Sequence, residues 1–119
     1  MTKAELFLPW PDRKLSPNAR VHWRPLAEAK RKAKQDAYNT VLEAGLKNAA
    51  SGLVKARYVF SPPDKRSRDA DNLVASIKAA QDGLALALGV DDSQWDIVVD
   101  HRGPVERHGR VKVELEWGV

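Results

Sequence analysis

The stretch RSRDADNL, residues 66–73, sets Asp69 and Asp71 one residue apart just ahead of a helical pattern. In extended backbone, residues two apart point the same way, so both carboxylates can converge on one point. Asp is also a favoured N-cap, and any first-turn carboxylate is stabilised by the free N–H groups and the helix dipole. One cap accounts for one aspartate only. The same dipole keeps both acids ionised at neutral pH, the form that hard cations such as Mg²⁺ require. A second acidic pair, Asp91 and Asp92 in GVDDSQW, follows that helix. Alone it is an ordinary turn before a strand. A strand returning beside the helix would bring Asp91 or Asp92 back towards the first pair. Zinc chemistry is not expected: there is no cysteine, and His22, His101 and His108 lack ligand-like spacing.

Around these acids the chain is basic, with net charge +4 and a pI near 9.5. Between Arg13 and Lys34 lie eight Lys/Arg against one acid, Glu28. Such density suits a polyanion, most commonly nucleic acid; the alternative is a solvated helix face. The 119 residues fit a single domain spanning 1–119, and 43% hydrophobic with 30% charged residues is globular composition. No stretch is apolar for long enough to span a bilayer or act as a signal segment, so a soluble, cytoplasmic protein without membrane contact is expected.

The elements that must position the acids follow from periodicity. AELFLPW (4–10) reads as a strand stopped by Pro9 and Pro11, and 12–24 as an extended functional loop. From Pro25 to Ala49, Leu26, Ala29, Ala33, Ala37 and Val41 recur at helical spacing. LVKARYVFS (53–61) alternates as a strand ended by Pro62 and Pro63. Residues 69–88 form a second helix, weakened by Gly83 and closed by Gly89. On its wheel Leu73, Ile77, Ala80, Leu84 and Leu88 make a buried stripe, while Asp71, Lys78 and Asp82 share the outer face within about 20°. QWDIVVDHR and GRVKVELEW read as two strands joined by a turn, a C-terminal hairpin. The expected fold is α+β: a small mixed four-stranded sheet packed by two helices, in the order β-α-β-α-β-β.

RDADNL, a helix carrying a lysine and DGL, and then GVDDSQW closely resemble the core motif of the RusA family of Holliday-junction resolvases, and LSPNARVHWR resembles the N-terminal signature of its phage-type members. The resemblance covers most of the chain. It implies a homodimeric, Mg²⁺- or Mn²⁺-dependent endodeoxyribonuclease that cuts paired strands of a four-way DNA junction in recombination and repair. Its three essential acids fall on Asp69, Asp71 and Asp92, with Asp91 ranked below Asp92, and its basic residue before the acids falls on Arg68. The family's lysine, four residues after the second acid, is replaced by Ala75; Lys78, one turn along the same face, is its substitute.

The expected site therefore has Asp69, Asp71 and Asp92 holding the metal and Lys78 on a phosphate. Arg68, Arg66, Arg20, Arg24, Asn18, Lys30 and Lys34 contact DNA, with His22 and Trp23 near the crossover. Trp23 could equally be a loop aromatic pinned onto the core. Two symmetric incisions call for a twofold dimer. The competing expectations are a nuclease of the same fold acting on flaps or replication forks, and a non-catalytic basic nucleic-acid-binding module.

Overall fold

In the computed structural model, which describes residues 1–118, strands β1 (Thr2–Pro9), β2 (Val54–Ser61), β3 (Trp95–Asp100) and β4 (Arg110–Trp117) form one mixed sheet packed by helices α1 (Trp23–Glu43) and α2 (Ala70–Leu88). The strand alternation dictates its two faces. Ala56, Tyr58, Phe60, Val111, Val113 and Leu115 are buried beneath the helices, and the intervening Lys55, Arg57, Lys112, Glu114 and Glu116 lie on the other face. That outer face is laced by charge, with Arg57 forked between Asp100 at 2.7 Å and Glu114 at 3.0 Å.

The strand order is β1-β4-β2-β3, with β2 and β3 parallel and the other pairs antiparallel. The expected C-terminal hairpin does not form: β4 inserts between β1 and β2, and β3 lies beyond β2. Connection 101–109 instead crosses the end of β2, where the Gly103 N–H donates to Phe60 O and that of Glu106 to Pro62 O, each at 3.0 Å. A Cβ on Gly103 would lie 2.6 Å from Phe60 O, so the crossing requires glycine.

Both helices begin and end for local reasons. α1 starts two residues before Pro25, since proline is tolerated in a first turn where N–H groups have no partners. It stops at Glu43, short of the expected Ala49, because Gly45 turns the chain at φ +72°. The following residues cap α2 instead, with Asn48 N–H on Ala87 O at 2.8 Å and Ala50 N–H on Leu88 O at 3.2 Å. α2 ends on Gly89 at φ 86°. Its expected apolar stripe is buried throughout, and it packs against α1.

A close approach in that crossing is at Gly83, where a Cβ would lie 2.1 Å from the backbone oxygen of Lys34. A residue that weakens an isolated helix thus permits the packing of two. Gly83→Ala is expected to destabilise the fold: overpacking costs about 1–3 kcal/mol, against a helix-propensity gain of up to about 1 kcal/mol. A thermal melt followed by circular dichroism should show a midpoint several degrees lower; an unchanged or raised midpoint would mean that α1 can withdraw without loss.

Candidate functional site

Asp69 is the N-cap of α2. Its Oδ1 accepts the Asp71 N–H at 2.9 Å, which leaves the other Asp69 oxygen and the whole Asp71 carboxylate without a hydrogen bond or ion pair among the described residues. Both side chains are exposed. Two carboxylates with oxygens free at a helix start suit Mg²⁺, which binds through one or two carboxylates, keeps several waters and takes phosphate oxygens. Asp69 and Asp71 are the residues that would hold such an ion.

Beside the acids runs an open cleft of about 650 Å³ between the 10–18 loop and the 63–76 segment, with Arg13, Asn18, Arg66, Arg68, Asp69 and Asn72 in its walls. Asp64 organises one wall. It takes Arg66 Nε and Nη2 at 3.2 and 3.0 Å, the Arg66 N–H at 2.9 Å and Arg68 Nη2 at 2.9 Å. Those bonds, led by the Arg66 side chain, hold the Asp64 carboxyl well below the usual carboxylate range. Arg68 is turned inward: Nη1 donates to the carbonyls of Asp64 and Arg66, and the guanidinium lies 5.2 Å from the Trp10 ring centroid. Arg66 keeps 81% of its side chain exposed, against 20% for Arg68. In this arrangement Arg66 is the open cation and Arg68 the clamp.

Asp92 is not drawn to Asp69 and Asp71. The crossover sets it beside the middle of α2, where its Oδ2 accepts from Lys78 Nζ and from Gln81 Nε2 at 3.3 Å, and Lys78 also pairs with Asp82 at 3.2 Å. Lys78 lowers the Asp92 pKa, and the Asp92 bond raises that of Lys78. Gln81 Oε1 in turn accepts the hydroxyl of buried Tyr58 at 3.0 Å, which ties the pair to the core. Among the described residues, no three His, Cys, Asp or Glu side chains assemble as a metal-ligating group. Asp91 caps a 3-10 turn (Asp92–Gln94) by accepting the Ser93 N–H at 2.9 Å, the bond that chiefly lowers its pKa.

The remaining expected contacts lie along the start of α1. His22 is its N-cap, with Nδ1 accepting the Arg24 N–H at 3.4 Å. Trp23 is 64% exposed, which settles it as a surface aromatic and not one pinned to the core. Arg20, Arg24, Lys30 and Lys34 are also exposed. Asp64, Gln81 and Tyr58 escaped the sequence reading. The spacing of DKRSR, an acid two and four residues before two arginines, was a usable signal for the first; the long-range bonds of the other two had none.

Asp64 carries a pH prediction. A carboxyl whose folded pKa is depressed contributes stability above its unfolded pKa, about 4, and loses it as pH falls through the lower folded value. Asp64→Asn should therefore melt below the parent at pH 7, with the gap closing progressively as the pH is taken below 4. Melting curves at pH 7, 4 and 2.5 check this; a gap that is constant with pH would remove the ionised carboxylate from the account.

No family model matches the chain. Over 93 residues it is 40% identical to an uncharacterized protein from Xylella fastidiosa (strain Temecula1 / ATCC 700964), a match that takes in 76% of this chain and 61% of that protein. The chain thus spans about three-fifths of the length of the curated relative it matches.

Proposed function

We propose that the protein is a metal-dependent endodeoxyribonuclease for branched DNA, of the kind that resolves four-way junctions, with Asp69 and Asp71 holding Mg²⁺ or Mn²⁺. The observation that carries this reading is a pair of exposed carboxylates at a helix start, Asp69 lining a cleft that also holds Arg13, Arg66 and Arg68 and Asp71 two residues on. The ion would supply a water activated near neutral pH and a counter-charge for the phosphate under attack.

The chain's own groups do the rest. Arg13, Arg66 and Asn18 hold backbone phosphates along the cleft, contacts that fix register without reading sequence. Lys78, on the face of α2 that carries Asp71 and about 10 Å further along the axis, offers an ammonium to an adjacent phosphate. Asp92 and Gln81 hold that ammonium in place, so the third acid named by the family resemblance acts on the lysine. Arg68 keeps the 64–68 loop closed on Trp10. Paired incisions on a junction need two equivalent sites, so the working form is a twofold homodimer, acting where bacterial or phage DNA is, in the cytoplasm. Among the described residues no helix is long and apolar enough to cross a membrane.

A non-catalytic DNA-binding module is the second reading, favoured by the fact that Asp69 and Asp92 each have a structural partner. Among the described residues the Asp71 carboxylate has none, and it separates the two. Asp71→Asn should lower Mg²⁺-dependent cleavage of a synthetic four-way junction by roughly two orders of magnitude or more, with junction affinity retained. Absence of any metal-dependent cutting by the parent protein would establish the binding module. Comparable cutting of flaps, forks and junctions would broaden the substrate to branched DNA in general.

A further inference from the structure

Three of the four tryptophans have places in the fold. Trp95 and Trp117 are 8% and 4% exposed, and Trp10 stands edge-on to Phe60 with ring centroids 5.8 Å apart. Trp23, the first residue of α1, is 64% exposed. An indole is among the largest apolar side chains, and this one presents its ring to solvent where a ligand can reach it.

Its surroundings say what kind of ligand that is. The Arg24 guanidinium lies over the Trp23 ring at 5.3 Å from the centroid, and the His22 ring is tilted 36° to it at 5.7 Å. Around α1, Lys30 and Lys34 fall within about 20° of Trp23, about 10 and 16 Å further along the axis. Neither lysine has an ion-pair partner among the described residues, whereas Arg31 and Lys32 are paired with Glu28 and Asp36. A flat aromatic flanked by cations, continued by free ammonium groups, matches a ligand with a flat ring and a trailing anion. A nucleotide in a single strand is that ligand: its base stacks on an indole and its phosphates meet lysines. An acidic peptide would satisfy the lysines but bring no ring for Trp23. In a duplex both faces of each base are already stacked, so the ring can take only a base that is unpaired, as at a branch point or in a single-stranded arm.

We propose that Trp23 is a stacking platform for an unpaired nucleobase, with Lys30 and Lys34 tracking the phosphates of the strand that carries it. This rests on the DNA-binding half of the reading above and not on cleavage. The test measures binding of fluorescein-labelled oligo(dT), a matched duplex and a four-way junction by anisotropy, in magnesium-free buffer with chelator, with tryptophan emission recorded in parallel.

Oligo(dT) should quench the emission of the parent protein. Trp23→Ala should abolish most of that quenching and weaken oligo(dT) binding about tenfold, with duplex affinity changed less than twofold, and Trp23→Phe should restore most of the loss. Lys30→Gln with Lys34→Gln should flatten the salt dependence of oligo(dT) binding. Equal loss for duplex and single strand in Trp23→Ala, or no loss for either, would overturn the proposal. So would emission that changes with protein concentration in the absence of DNA, since the ring would then be covered by a second copy of the chain. Failure of the nuclease reading appears as absent cleavage with Trp23-dependent oligo(dT) binding intact; failure of this inference appears as an indifferent Trp23→Ala, whatever the cleavage result.

Discussion

Two parallel strands cannot be joined by a turn, and the chain must travel the length of the sheet between the end of β2 and the start of β3. α2 makes that journey, and its reversed course fixes the site. Its N-terminus, with Asp69 and Asp71, sits where β2 ends and where the register sets Asp100, the last residue of β3, opposite Val59. Its C-terminus delivers Asp91 and Asp92 to the other end. Open sheets with parallel strands bind ligands in crevices outside the carboxyl ends of those strands, and the cleft walled by Arg13, Arg66 and Arg68 lies at such an end.

The walls of the cleft are joined at Trp10. One edge of that indole meets Phe60 from the core, Arg68 lies over it, and a Cβ on Gly109 would come within 3.0 Å of its own Cβ. The loop leaving β1, the segment leading into α2 and the connection into β4 therefore bear on one side chain. The approach of α1 to α2 at Gly83 likewise sets how far the helix that follows the loop stands from the helix that carries the acids.

The sequence-derived elements were legible because each depends on local period or on a stop. Leu73, Ile77, Ala80, Leu84 and Leu88 recur as a stripe and are buried as one; Gly89 at φ 86° closes the helix where a glycine was read as its end. The strand order was not legible, because alternation in 94–102 and 109–117 is equally consistent with a hairpin and with strands separated by β2. What selects the second is the pairing of β4 with both β1 and β2, together with the Gly103 contact on Phe60 O, all between residues far apart in the chain. The same limit governs the site. The DxD pair and its cap are neighbours in sequence and were readable; the attachment of Asp92 to Lys78, and of Gln81 to Tyr58, depends on where a crossover lands. A wheel places Lys78 and Asp71 on one face but is silent on what arrives beside that face.

The distribution of charge explains why a basic protein concentrates acid at this point. In the cleft walls Arg13, Arg66 and Arg68 face Asp12 and Asp69, and Asp64 spends its charge on two of those arginines. The cleft alone is therefore close to balanced, and the strongly basic start of α1 lies outside it. Under the proposed function a polyanion would be drawn to α1 with or without a divalent cation, more weakly as salt rises, whereas the cleft would become attractive only when such a cation sits on Asp69 and Asp71 and makes it net positive. Under that reading, affinity and chemistry need not share residues. Arg68, folded against Trp10, then serves the conditional surface by holding its shape, a role its inward hydrogen bonds suit and a phosphate contact would break.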